Sequence, residues 1–310
     1  MLQPTATIDP FSGLKHHYVY AFASEEEAGS FIRKNGSQAD RDSLGTTLSN
    51  WQSLRPRVID MFSTEAGLPD TIAIKDIPEE HHGSIQKVVD KKWFQQSYAG
   101  QTIRFGMVEI DKLVAPQRSV DTGYCNQLKN SWPANMGWTE LLDVCFGIKE
   151  NDDAIHHLET GRNTYVFSSS NTDVRLLSTY VQSISADDFP VECGGIPLKA
   201  IISVIGTGTP VIHTFKVGNR LILNNGFHRV FALRSLGFKE IPMLISEISS
   251  IEIEMPEVLL GLPREYLAYE PRPVLMKDFF EPDFSVIVNI QKRQRVIQMN
   301  TIANVFDVPL

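Results

Sequence analysis

The chain has 310 residues, enough for one large domain or two of ordinary size. Its residues are 42% hydrophobic, sufficient for a substantial core, yet no apolar run approaches the ~18 residues of a membrane span. Lys and Arg number 29 against 37 Asp and Glu, and the resulting charge of −8 excludes a surface that coats nucleic acid through general positive charge.

Met1 to Gly13 carries neither the basic start nor the apolar centre of a signal peptide. Cys125, Cys145 and Cys193 form no C-x-x-C pair and read as reduced thiols. Together these features predict a cytoplasmic protein without membrane contact.

Residues 1–100 read as a mostly helical region. Tyr18 to Phe22 predicts a short strand. Ser24-Glu25-Glu26-Glu27 is a capping-box pattern, and Gly36 ends the helix that it starts. Leu48, Trp51, Leu54, Val58 and Phe62 predict further helix, with Pro56 marking a new first turn. Thr71 to Ile77 is strand-like. Ser84 to Tyr98 predicts one amphipathic helix that turns Ile85, Val88, Val89 and either Trp93 or Phe94 inward. The pairs His16-His17, His81-His82 and His156-His157 suggest a metal, but adjacent side chains point apart, so no metal is expected.

In the middle of the chain, Met107 to Val114 predicts a strand, Pro116-Gln117-Arg118 the loop that leaves it, and Asp121 to Lys129 a short helix. Thr139 to Phe146 is a further helical stretch. The apolar runs between Asn163 and Ile184 read as a hairpin or meander turning at Ser168-Ser169-Ser170-Asn171. Leu198 to Val204, Val211 to Val217 and Arg220 to Leu223 predict consecutive strands, the last two joined at Gly218-Asn219. Gly206-Thr207-Gly208-Thr209 lacks the Gly-Lys-Ser/Thr ending of a phosphate loop and reads as a turn.

The strand Leu221-Ile222-Leu223 leads into Asn224-Asn225-Gly226-Phe227-His228-Arg229, then a helix through Leu236. Gly237 stops that helix, Phe238 folds back on Leu233, and Ile241 to Ile248 forms the next strand. A helix that starts just after a glycine offers free N–H groups and a partial positive charge. Gly226 lets an anion approach the backbone, His228 can donate a hydrogen bond, and Arg229 can grip a phosphate with two. Asn225, Gly226, Phe227, His228 and Arg229 are therefore the predicted phosphate seat. The alternative is an ordinary helix start in which Asn225 caps, His228 packs and Arg229 is solvated.

Leu223 to Leu233, followed by Leu236-Gly237 and Ile241-Pro242-Met243, resembles the signature of the ParB/sulfiredoxin-like superfamily. Val108 to Arg118 is similar to the opening strand and Gln-x-Arg loop of ParB-like domains. The resemblance implies an α+β fold: a mixed sheet with helices over 101–250, an insertion at about 131–190, the helical N-terminal region, and a C-terminal extension over 251–310. It implies nucleotide phosphates at the turn, with ATP or CTP and Mg²⁺ as cofactors, and places Gln117 and Arg118 as a second contact. Characterised members bind and hydrolyse CTP, use ATP, phosphorylate serine or are proposed nucleases. Asn225 stands where the family has an acidic residue, and Phe227 where sulfiredoxins have their cysteine, which argues against repair chemistry.

Beyond Ile248 the chain is first acidic, then proline-rich, and carries no helix-turn-helix reader. Ser285 to Ile290 and Arg295 to Val305 are strand-like, and Lys292, Arg293 and Arg295 form a basic knot read as a hairpin turn. The apolar tail Phe306 to Leu310 is expected to pack or pair. Three functional expectations follow. The first is a regulatory protein that binds a nucleotide or nucleic-acid phosphate, with a protein partner on 131–190 or 251–310. The second is a nucleotide hydrolase, kinase or nuclease using the same turn, with Glu109 or Asp111 as metal ligand or base. The third is a structural or partner protein that has lost the ligand.

Overall fold

The structure is a computed structural model. It describes residues 14–148, 155–161, 163–169, 174–185, 196–291 and 295–308. Met1 to Gly13, Cys193, Ser170-Asn171 and the Lys292-Arg293 part of the basic knot lie outside the described residues. The fold is mixed α+β, with several small sheets. The chain forms two compact units, Met1–Lys149 with Pro210–Lys292, and Glu150–Thr209 with Arg293–Leu310. The first unit therefore runs across the divisions expected near 100 and 250. One hydrophobic cluster joins Val19, Val58, Val88, Val108, Phe231 and Phe284, so the N-terminal helices share a core with the central strands.

The first unit opens with β1 (Lys15–Tyr18), a strand that ends where one was expected to begin. Next comes α1 (Glu25–Asn35), with both hydrogen bonds of the capping box at Ser24 and Glu27 in place. After α2 (Gln38–Asp42) runs α3 (Leu44–Thr64), which is continuous through Pro56 rather than restarting there. Val58 and Met61 on its inner face are buried, and that packing holds the helix together across the proline. Strand β2 is only Ile74–Lys75, with a 3₁₀ turn over Leu68–Thr71 before it. The expected helix over 84–98 is two, α4 (His82–Val89) and α5 (Lys92–Ser97). The break at Asp90-Lys91 lets Ile85 and Val88 of α4 and Phe94 of α5 all reach the core.

Strand β3 (Ile103–Glu109) begins earlier than expected and closes in a 3₁₀ turn over Ile110–Lys112. Then follow β4 (Ser119–Asp121), α6 (Thr122–Ser131), capped by the Asp121 side chain, and α7 (Trp138–Phe146), closed by Gly147 in the left-handed conformation.

The second unit contains β5 (His156–Gly161), β6 (Thr164–Ser169), β7 (Arg175–Ser183) and β8 (Lys199–Gly206). Among the described residues β6 and β7 do not pair with each other as the expected hairpin or meander would have them. β6 pairs with β5 and with the strand Arg295–Asn300, while β7 pairs antiparallel with β8. The described part of the tail is exposed rather than packed. The pairing of Arg295–Asn300 with β6 ends near Thr164, which faces Asn300, with one further bond from the Thr301 amide to the Asn163 carbonyl. Phe306 and Val308 are each 78% exposed.

Back in the first unit, β9 (His213–Val217) and β10 (Arg220–Asn225) form the predicted hairpin, with Gly218 at φ +59° in its turn. They lead to α8 (Phe227–Ser235) and β11 (Glu240–Glu247). Gly237 stops α8 at φ +96°, and the Phe238 amide donates to the Leu233 carbonyl as the sequence pattern predicts. The main sheet runs β10-β9-β11-β3-β2, with only β9 and β11 parallel. Val114 covers its β10 edge through backbone hydrogen bonds to Leu221 and Leu223.

The rest is α9 (Ile251–Glu254), the short hairpin β12 (Val258–Leu259) and β13 (Leu262–Pro263), α10 (Arg264–Tyr269), and β14 (Val286–Asn289). β14 joins β1 and β4 in an antiparallel three-stranded sheet. Arg272 and Asp278, both fully buried, form a two-point ion pair at 2.6 and 2.9 Å, and Arg272 Nε also donates to Glu65 at 2.8 Å. This cluster ties the end of α3 to the segment before β14.

Candidate functional site

The turn into α8 is built as the sequence predicts, but most of its side chains serve the fold. Gly226 has φ +90°, and a Cβ there would lie 2.8 Å from Ile212 Cγ1. The glycine is needed for backbone conformation and for packing against Ile212. The Asn225 amide does not cap α8 and instead donates to the Val211 carbonyl at 2.9 Å. Phe227 is 4% exposed and packs edge-to-face on Phe279. Arg229 donates through Nη1 to the carbonyls of Val144, at 2.9 Å, and of Pro210. The guanidinium expected to grip a phosphate thus fastens α8 to the end of α7.

His228 is placed differently. It lines a cleft of about 640 Å³ bounded by β1, the first turns of α1, the segment Gln117–Ser119 and the turn between β12 and β13. The cleft therefore gathers Gln117, Arg118 and His228 from the predicted site, and Asn225, Gly226, Phe227 and Arg229 are not among its lining residues. Pairing of β1 with β4 sets this arrangement, with His16 opposite Asp121 and Tyr18 opposite Ser119. The Val19 amide donates to the Arg118 carbonyl at 2.7 Å and fixes the backbone from which that guanidinium projects.

Arg118 Nη1 donates to Glu27 Oε1 at 3.1 Å, while its buried Nε has no hydrogen-bond partner among the described residues. The guanidinium also lies over the Tyr266 ring, 5.8 Å from its centroid. Gln117 Nε2 donates to the Ser119 carbonyl at 2.6 Å, and His16 Nδ1 meets Ser119 Oγ at 2.8 Å. Burial pushes the His228 imidazole down to about 4, so it is uncharged at neutral pH. In that form it is a hydrogen-bonding group rather than a cation. Burial likewise pushes the Tyr18 hydroxyl up to about 12, which keeps it a neutral donor.

The far wall is apolar and acidic. Tyr18 and Phe31 stack at 3.9 Å between ring centroids. Leu260 and Gly261 form the two-residue turn of the β12–β13 hairpin, at φ +48° and +103°. Positive φ at both central residues matches the hairpin turn that suits strand twist. Glu26 and Glu27 reach the cleft from the first turn of α1.

Glu109 and Asp111 do not line the cleft. Glu109 pairs with Lys112 at 3.0 Å, and Asp111 takes Arg234 at 2.6 and 3.0 Å. Two of the histidine pairs diverge: His16 faces the cleft while His17 bonds Ser285, and His81 stacks on Trp138 while His82 bonds the Ile77 carbonyl. Among the described residues no group of three or more potential metal ligands gathers, and no helix is long and apolar enough to cross a membrane.

A buried polar chain that no sequence motif signals links Asn224, His213, Ser246 and Gln101, each contact at 2.8 Å. The Asn224 amide donates to His213 Nδ1, so Nε2 carries the proton and donates to Ser246 Oγ. An imidazole that donates to a serine cannot take its proton, so this chain joins strands rather than activating a nucleophile. Comparison with family models, curated proteins and solved structures returns no match.

Proposed function

We propose that this is a regulatory binding protein of ParB/sulfiredoxin-like type that holds the phosphate of a nucleotide in the cleft between Arg118 and His228. The carrying observation is that the guanidinium of Arg118 shares one small cleft with Gln117 and the neutral imidazole of His228. A phosphate in the cleft makes charge-assisted hydrogen bonds with the guanidinium. The cleft volume falls within the range of small-molecule sites, which favours a free nucleotide over a polymer. The resemblance at Leu223 to Leu233 supports the same ligand class, with the phosphate moved from Arg229 to Arg118.

A thermal-shift screen with nucleoside mono- and triphosphates tests this reading. Ligand at ~100 times its Kd adds about 2.7 kcal/mol to the folded state, a rise of several degrees in Tm. Arg118→Gln should abolish the rise; because the Arg118 side chain is only 14% exposed and lies over the Tyr266 ring, the shift on adding ligand is read against that variant's own unliganded Tm. An Arg118→Gln protein that shifts like the wild type removes the site.

A further inference from the structure

We infer that the cleft selects a nucleoside monophosphate, or another phosphomonoester of low charge with an apolar body, and rejects the triphosphates. The inference rests on the reading of the cleft as a phosphate site. The fixed charges of the lining are one guanidinium, Arg118, and two carboxylates, Glu26 and Glu27. A phosphomonoester carries about two negative charges at neutral pH, of which one guanidinium offsets one. A triphosphate brings roughly four negative charges into a space whose remaining fixed charges are also negative, and like charges repel at these distances.

The carboxylate of Glu27 is held in place. Its Oε2 accepts the Ser24 amide at 2.7 Å, and its Oε1 accepts Arg118 at 3.1 Å. Burial opposes its ionisation, but the Ser24 amide and the guanidinium outweigh burial and keep the carboxyl below its ordinary range. The negative charge is therefore permanent at neutral pH. Glu27 also competes with any incoming anion for the same guanidinium. Phe31 and the Leu260–Leu262 turn provide an apolar wall for the nucleoside end.

The ATP or CTP with Mg²⁺ that the family resemblance implies does not fit this lining. A Mg-triphosphate seat surrounds its ligand with several cationic groups or a helix N-terminus with free amides and a lysine. Here the nearby Arg229 is committed to the Val144 and Pro210 carbonyls.

Isothermal titration with AMP, CMP, GMP and UMP and with their triphosphates, in EDTA at low salt, tests the selection. At least one monophosphate should bind the wild type about tenfold or more tightly than its own triphosphate. Glu26→Gln/Glu27→Gln should narrow that gap to about threefold or less. The glutamine at 27 keeps an acceptor for the Ser24 amide, so α1 retains its cap, and circular dichroism checks that it does. Triphosphates binding more tightly than monophosphates, or a gap unmoved in the double variant, would overturn the selection while Arg118-dependent binding stood. No binding by either class would overturn the selection and the phosphate reading together.

Discussion

Arg229 donates to the Val144 and Pro210 carbonyls, and replacing it leaves both acceptors without that partner. Arg229→Met should cost about 1–3 kcal/mol in urea denaturation while leaving nucleotide affinity intact at temperatures where the protein is folded. Loss of affinity at unchanged stability would return Arg229 to the binding site. Gly226→Ala combines a left-handed φ of +90° with a contact 2.8 Å from Ile212, and should destabilise by roughly 2–4 kcal/mol. His213 makes stability fall in acid. It is 4% exposed, and burial holds its folded value down to about 4 against 6.5 in the unfolded chain. Below 6.5 the unfolded chain takes up a proton that the folded one refuses. His213 therefore contributes its full stability above that point and loses it as pH falls through 4. About 3 kcal/mol is at stake. Urea midpoints between pH 7 and pH 4 should fall, and His213→Gln should flatten the fall; an equal fall in that variant would assign the acid loss to other groups. At this scale the sequence showed His228, which sits in a recognisable motif. It could not show that Arg118 would meet Glu27, 91 positions away, because strand pairing between β1 and β4 brings them together.

The elements that could be read were those with local physical causes. The Ser24–Glu27 capping box, the Gly237 stop and the Gly218 turn each depend on a few neighbouring residues, and each is present. The misread elements were decided by distant contacts. Pro56 sits inside α3 because the buried Val58 and Met61 hold the helix to the core, and the strands of 163–184 divide because β6 finds a partner at Arg295–Asn300. The Arg272–Asp278 pair acts at the same scale, linking α3 to the segment before β14. Arg272→Met leaves the fully buried Asp278 without its counter-charge and should cost about 3–5 kcal/mol. Replacing both, as Arg272→Met/Asp278→Leu, should recover part of that loss in chemical denaturation. A double variant less stable than the single would show that the pair contributes net stability rather than balancing its own desolvation.

For the whole molecule, residues 14–100 fall in the same compact unit as the central strands, and they supply much of the cleft. His16 and Tyr18 come from β1 and Glu26, Glu27 and Phe31 from α1, while Arg118 and His228 come from the segments singled out by sequence. Composition could not reveal this, because a helix that completes a site looks the same in sequence as one that only covers a core. The central claim is that phosphate lies between Arg118 and His228. A crystal structure with bound nucleoside monophosphate tests it most directly. The account predicts phosphate density within hydrogen-bonding distance of the Arg118 guanidinium and the His228 ring, with the nucleoside toward Phe31. Ordered phosphate at Arg229, or anywhere outside this cleft, would contradict it.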